Sequence, residues 1–203
     1  MSGEQRGLTL VSGGVRAGKT RFAERLAARH GERVCYIATA EPGDDEMRAR
    51  IAAHRAGRAA AWRTIEAPLL VAEALKDATD ADAVLLDCLT VWTSNVLLAT
   101  VDPDSLDERA AAEAQARVLT AVDALLAWQA DSGVPLYAVT NEVGLGVTPP
   151  YPLGRLFQDV LGRVNQRVAA VAQEVYLVVA GQALPLKRLG AVAIDRPPPL
   201  PLD

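Results

Sequence analysis

The sequence predicts an α/β fold, a mostly parallel sheet with helices on both faces. Three observations predict it. Short runs rich in Val, Ile and Leu recur along the chain, apolar along nearly their whole length as strands buried on both faces are. Longer stretches of helical periodicity separate them. The 203 residues suffice for one substantial core, whereas two full domains would be cramped.

The elements follow in order. A first strand, Leu8 to Ser12, runs into a glycine-rich stretch, and a helix continues from it through Phe22, Ala23, Leu26 and Ala27, with Gly31 placed to stop it. Arg33 to Thr39 is the second strand. Asp44, Asp45 and Glu46 then precede a pattern that puts Met47, Ile51 and His54 on one helix face at i, i+4 and i+7. Ala83 to Asp87, Leu136 to Thr140 and Val175 to Ala180 are further strands. Between them, Asp102 to Asp107 is polar and turn-like, and the alanine-rich Arg109 to Ala130 is the longest helix. The carboxyl ends of such strands form the edge at which ligands bind. The terminal Arg196-Pro-Pro-Pro-Leu-Pro-Leu-Asp203 is too proline-rich for a helix or a central strand. With no internal repeat and no clean linker, the expected organisation is one domain over 1–190 and a proline-rich tail over 191–203.

Composition narrows the function classes. Half the residues are apolar, 23% are charged and 4% are aromatic, as in a soluble globular protein. A net charge of −4 creates no whole-chain field for nucleic acid or an anionic membrane. No stretch reaches the roughly 18 apolar residues of a membrane span, and no signal-peptide core opens the chain. Cys35 and Cys88 lie in apolar runs without C-x-x-C spacing, which reads as small buried hydrophobes in a reducing cytoplasm.

The strongest motif is Gly13-Gly14-Val15-Arg16-Ala17-Gly18-Lys19-Thr20, which fits G-x-x-x-x-G-K-[ST] between an apolar strand and an amphipathic helix. Glycines let backbone N–H groups turn inward around phosphate oxygens, and the helix N-terminus adds the positive end of its dipole. Lys19 is then the residue that reaches the β- and γ-phosphates, and Thr20 offers its hydroxyl to Mg²⁺. Asp87, ending the run Ala83-Val84-Leu85-Leu86, stands where such proteins hold the metal, although a carboxylate at a strand end is also an ordinary turn residue. The fold expectation therefore sharpens to the P-loop NTPase type. After Leu136 to Thr140 the chain reads Asn141-Glu142-Val143-Gly144, not the guanine-reading N-K-x-D of switch GTPases, and little chain is left for a motor. A small-molecule phosphoryl or nucleotidyl transferase is favoured.

Further segments carry a specific resemblance: Tyr36-Ile37-Ala38-Thr39-Ala40, Asp44-Asp45-Glu46-Met47, Arg50-Ile51-Ala52-Ala53-His54-Arg55 and Trp62-Arg63-Thr64-Ile65-Glu66. To these are added Thr140-Asn141-Glu142-Val143-Gly144-Leu145-Gly146 and Gly162-Arg163-Val164-Asn165-Gln166-Arg167. From about Leu8 to Lys187 the chain resembles the bifunctional adenosylcobinamide kinase / adenosylcobinamide-phosphate guanylyltransferase family of cobalamin biosynthesis. The family loop usually reads G-G-A-R-S-G-K-S, from which Val15, Ala17 and Thr20 depart, Thr20 keeping the hydroxyl.

The resemblance implies a corrinoid substrate, use of GTP and ATP with Mg²⁺, and a homotrimer with sites between subunits. It also implies a covalent GMP-histidine at His54. A neutral imidazole can attack the α-phosphorus, expel pyrophosphate and leave a labile phosphoramidate; without the resemblance, His54 beside Met47 and Ile51 reads as a packing residue. Carried over in the same way, Ala38, Thr39, Ala40, Arg55, Ala56, Gly57, Arg58, Glu66 and Asp87 correspond to GTP contacts. Arg55 and Arg58 are either a solvated helix face or charges beside the nucleophile. Glu66 either caps the next helix ahead of Pro68 or accepts two hydrogen bonds from a guanine edge. His30 beside Gly31 reads as a C-cap, and Arg163 and Arg167 as surface charges. Two rival readings are a P-loop kinase for another small alcohol and a non-enzymatic nucleotide-binding module.

Overall fold

The computed structural model describes residues 7–41, 43 and 61–194. Five strands coincide, within a residue or two at each end, with the apolar runs: β1 (Leu8–Gly13), β2 (Val34–Ala38), β4 (Ala83–Asp87), β5 (Leu136–Val139) and β6 (Glu174–Val179). Two more flank them, β3 (Arg63–Glu66) and β7 (Gln182–Pro185). Both lie at sheet edges, where residues are largely exposed and an all-apolar run is not required. The helices are α1 (Lys19–Ala27), α2 (Val71–Lys76), α3 (Leu89–Leu98), α4 (Glu108–Ser132) and α5 (Pro152–Val171). The polar stretch 102–107 holds a short 3₁₀ turn, Pro103–Ser105. The expected helix carrying Met47, Ile51 and His54, and the tail from Arg196, lie outside the described residues.

The seven strands form one sheet in the order β3-β2-β4-β5-β1-β6-β7, parallel except for the antiparallel β6–β7 hairpin. Successive side chains point to opposite faces of a strand, and the two cores divide accordingly. Leu8, Leu10, Ile37, Leu86 and Ala138 join α2 to α5 on one face. Val11, Tyr36, Leu85 and Val139 pack with Ala23, Leu26 and Ala27 of α1 on the other. Helices thus cover both faces, four against one among the described residues.

Helix boundaries follow local chemistry. Asp107 accepts the Ala110 N–H at 2.7 Å at the start of α4, and Gly133 in the left-handed region ends it. Pro152 opens α5, where its missing N–H costs nothing. Two sequence expectations need correction. Cys35 is buried as expected, but Cys88 is only partly buried and its sulfur accepts the Val91 N–H at 3.4 Å as the N-cap of α3. The C-cap residue of α1 is Ala28 rather than His30: the Ala28 N–H closes on the Glu24 carbonyl, the Arg29 N–H on that of Leu26 and the His30 backbone N–H on that of Ala27, while the His30 ring Nε2 meets the Tyr137 hydroxyl at 2.5 Å.

Gly13, opposite Val178, is as far as β1 pairs with β6. Its φ is +148°, and a Cβ there would lie 2.2 Å from the Val178 carbonyl oxygen, so neither the backbone nor the neighbouring strand admits a side chain. Gly13→Ala is expected to lower the unfolding free energy by at least about 2 kcal/mol, measured by urea denaturation. A loss under about 0.5 kcal/mol, the range of neutral surface changes, would show that the two strands can part without cost.

Candidate functional site

The site lies at the carboxyl edge of the sheet, where the topology reverses. From β1 the chain crosses to β2 with α1 on one face, and from β5 it crosses beyond β1 to β6 with α5 on the other. Such a switch point opens a crevice between the two loops. Here the loops are 13–18 after β1 and 140–151 after β5.

The first loop turns sharply at two residues. Gly18, at φ +101°, precedes the first turn of α1, and Arg16 at φ +58° turns the backbone further. The Ala17 N–H donates to the Gly14 carbonyl at 3.3 Å, and the Gly181 N–H of the β6–β7 turn donates to the Ala17 carbonyl at 3.1 Å, tying the loop to the far side of the sheet. Lys19 folds back inside this loop, its ammonium 2.6 Å from the Gly14 carbonyl and its side chain buried. Burial holds that ammonium below its ordinary 10.5, with Cys88, where it ionises, and Asp87 pulling the other way. A desolvated ammonium against a carbonyl binds phosphate oxygens more strongly than a hydrated one. Val15 is 75% exposed at the tip.

Asp87 is the second centre. Its Oδ2 accepts the Thr20 hydroxyl at 3.0 Å and the Tyr36 hydroxyl at 2.6 Å. The loop, α1, β2 and β4 therefore meet at one carboxylate oxygen. Thr20 and Asp87 form an all-oxygen pair, and among the described residues no group of three or more His, Cys, Asp or Glu could hold a metal alone. That donor set fits Mg²⁺, which takes one or two protein oxygens and fills the rest of its shell with phosphates and water. The adjacent Cys88 thiol, pushed up to about 12 by burial first and by Asp87 second, stays protonated and is not a thiolate ligand.

Ala38, Thr39 and Ala40 follow β2 at this edge. Thr39 is fully buried, donating its hydroxyl to the Cys88 carbonyl at 2.9 Å and accepting the Cys88 N–H at 2.7 Å. Its N–H goes to the Asp87 carbonyl, and its own carbonyl accepts from Asn95 Nδ2 at 2.9 Å. Its polar atoms shape the turn that presents Asp87. Glu66 pairs in register with Ala38, and Ala38 with Asp87. The N-cap of α2 is Leu70, so Glu66 does not cap that helix. It stands four strands from β1, about 19 Å at roughly 4.8 Å per strand. Arg167 pairs with Asp123 at 2.7 Å on the surface and Arg163 is exposed, in keeping with the surface reading. His54, Arg55, Ala56, Gly57 and Arg58 lie outside the described residues.

The second loop is held by a ring of hydrogen bonds that the spacing of motifs does not announce. The Asn141 N–H donates to Thr90 Oγ1 at 2.6 Å, and Thr90 lies 3.3 Å from Thr140 Oγ1. Thr140 donates to Asn165 Oδ1 at 2.7 Å, and Asn165 Nδ2 donates to the Asn141 carbonyl at 3.1 Å. Because Thr140 gives its proton to Asn165, Thr90 is the donor to Thr140, and the ring closes around Asn141. The next N–H, of Glu142, donates to the Gly13 carbonyl at 3.2 Å. Beyond it, Leu145, Val147 and Tyr151 are 87%, 94% and 59% exposed.

Tyr36 is the readily tested support of the Thr20–Asp87 pair. Tyr36→Phe is expected to weaken Mg²⁺-nucleotide binding about fivefold, equivalent to ~1 kcal/mol, in titrations with a fluorescent triphosphate analogue. The difference should vanish in EDTA. An equal loss with and without Mg²⁺ would place Tyr36 in the scaffold alone.

Comparison with known proteins agrees with this geometry. The family model for cobinamide kinase / cobinamide phosphate guanyltransferase matches residues 9–186. The chain is 45% identical over 180 residues to the bifunctional adenosylcobalamin biosynthesis protein CobP of Pseudomonas aeruginosa, covering 88% of this chain and 96% of that protein. It is 41% identical over 184 residues to the bifunctional adenosylcobalamin biosynthesis protein CobU of Escherichia coli, and 42% over 188 to that of Salmonella typhimurium, each covering 89% of this chain and 99% of the relative. A glycine-rich loop ending in Lys19 and Thr20, a Thr20–Asp87 oxygen pair and likeness to these proteins over most of the chain lead to one assignment: the chain belongs to the cobinamide kinase / cobinamide phosphate guanyltransferase family.

Proposed function

We propose that the protein phosphorylates the aminopropanol hydroxyl of adenosylcobinamide and then transfers GMP from GTP to that phosphate, giving adenosyl-GDP-cobinamide. The observation that carries the reading is the buried Lys19 inside the phosphate loop, directly followed by Thr20 on Asp87. Those groups grip a triphosphate tail and leave both its ends open to attack.

In the first step the inward N–H groups of residues 13–18 and Lys19 hold the β- and γ-phosphates, so that the hydroxyl meets the γ-phosphorus in line. Thr20 and Asp87 would hold Mg²⁺, which neutralises charge between the phosphates when bound. In the second step His54 attacks the α-phosphorus of GTP, pyrophosphate leaves, and the substrate phosphate displaces the histidine to take the GMP. Arg55 to Arg58 adjoin His54 in sequence and suit the charge that develops there. Ala38, Thr39 and Ala40 line the approach, and Glu66 stands far enough from the phosphates to read the guanine edge. The exposed Leu145, Val147 and Tyr151 beside the phosphate loop suit the apolar face of a corrinoid better than a small polar alcohol. Trimeric assembly and a cytoplasmic setting accompany this reading; among the described residues no helix is long and apolar enough to cross a membrane.

One labelling experiment tests it. Protein incubated with α-labelled GTP and Mg²⁺, then denatured, should carry acid-labile, alkali-stable label that is absent from His54→Ala, and γ-label from a triphosphate should appear on adenosylcobinamide. Absence of protein-bound label from the unaltered chain overturns guanylyl transfer through histidine, and label persisting in the variant overturns His54. Transfer of γ-label alone would favour a simple P-loop kinase.

A further inference from the structure

We infer that Glu142 is the base that takes the proton of the attacking hydroxyl in the phosphorylation step. The inference rests on the function proposed above and adds a catalytic residue to it.

The argument begins with position. Among the described residues, four carboxylates follow strands at this edge of the sheet: Glu41 after β2, Glu66 at the end of β3, Asp87 at the end of β4 and Glu142 just after β5. The phosphate loop follows β1, whose neighbours are β5 and β6. Of the four, Glu142 alone follows a strand that pairs with β1, and its own N–H is bonded to the Gly13 carbonyl at the start of the phosphate loop. It therefore stands at the switch-point crevice, across from the residues that grip the triphosphate. Asp87 is unsuited to the task because its Oδ2 already receives Thr20 and Tyr36 and its charge suits the metal.

Orientation is fixed as well. The ring through Thr90, Thr140 and Asn165 holds Asn141 by both its N–H and its carbonyl, so the chain direction into Glu142 is set by buried groups on α3, β5 and α5. Glu142 Oε1 accepts the Gly144 N–H at 3.2 Å, which steadies the carboxylate and leaves Oε2 for a proton. On the adjoining strand, Ser12 carries a buried hydroxyl with no hydrogen-bond partner among the described residues. Ser12 follows Val11, and the Thr140 N–H donates to the Val11 carbonyl, so this unpartnered group sits beside the ringed loop. A buried hydroxyl without a partner is costly unless a ligand or water completes it, and an incoming polar substrate atom does so.

The step balances. The substrate oxygen forms its bond to the γ-phosphorus as the bond from the γ-phosphorus to the bridging oxygen breaks. The nucleoside diphosphate leaves with that electron pair, and the hydroxyl proton passes to Glu142 Oε2 and later to water. Guanylyl transfer needs no such base, because its nucleophiles are a neutral imidazole and an already ionised phosphate.

The two reactions therefore separate under one substitution. In the protein as it stands, Glu142→Gln is expected to lower kcat for γ-label transfer to adenosylcobinamide about 100-fold. Nucleotide KM and the rate of α-label incorporation from GTP should stay within about twofold, and Glu142→Asp should recover part of the lost rate. Phosphorylation unchanged in Glu142→Gln, or phosphorylation and α-labelling falling together, overturns the assignment. If the unaltered chain transfers no γ-label to adenosylcobinamide, the kinase reading fails and Glu142 as its base fails with it, an outcome distinct from an active chain with an active variant.

Discussion

The site depends on a single carboxylate oxygen. Asp87 Oδ2 receives hydroxyls from the first turn of α1 and from the middle of β2, while its own backbone carbonyl receives the N–H of Thr39. Those contacts connect the helix that follows the phosphate loop, a neighbouring strand and the strand that carries the acid. Parallel strands are held by slanted ladders that fix register but leave the loops at their ends free. Here the loops are not free, because Thr39 is bonded twice to Cys88 and Asn95 reaches across to the Thr39 and Pro68 carbonyls. The negative charge is thus delivered at a fixed height above the sheet, next to a lysine that burial has made a stronger partner for anions.

A second constraint acts on the other side of the crevice by different chemistry. The ring around Asn141 has no formal charge, only two hydroxyls and an amide in a closed donor-to-acceptor circuit. Thr140 is fully buried, and Thr90 and Asn165 are less than a tenth exposed. Each is satisfied only while the others are in place, and such networks raise the cost of any partial arrangement. One loop is therefore placed by an anchored charge and the other by a neutral circuit. The first placement rests on a formal charge, whereas the second needs none.

How much of this was legible in the sequence follows from range. The phosphate loop is a local object: glycines, a lysine and a hydroxyl at fixed offsets between a strand and a helix carry their mechanism in consecutive residues. The central strands were legible because burial on both faces forces continuous apolar runs. β3 and β7 were not, since an edge strand has only one neighbour to satisfy and Arg63 or Gln182 is acceptable there. Cys88 misled for a related reason, as an apolar neighbourhood in sequence does not reveal that its sulfur lies at a helix start. The partnerships of Tyr36 with Asp87 and of Asn165 with Thr140 join residues 51 and 25 positions apart. Nothing in the periodicity of either segment encodes them. Asn165 and Glu142 stood inside segments that resembled the family, yet the resemblance assigned them no task until the topology brought both to the β1–β5 seam.

That seam bears on how one small domain could serve two reactions at phosphorus. On the function proposed above, a triphosphate held by its tail would present the γ-phosphorus toward the crevice and the α-phosphorus toward the edge on which Asp87, Ala38 and Glu66 stand in register. Chemistry at the γ-phosphorus requires a hydroxyl to lose a proton, so a carboxylate belongs on the crevice side, where Glu142 stands. Chemistry at the α-phosphorus requires a nucleophile that is neutral and already competent, the part proposed for His54. The two demands differ and need not compete for one residue. On that proposal the phosphate grip serves both reactions, and the activating group differs because the proton inventories of the two nucleophiles differ.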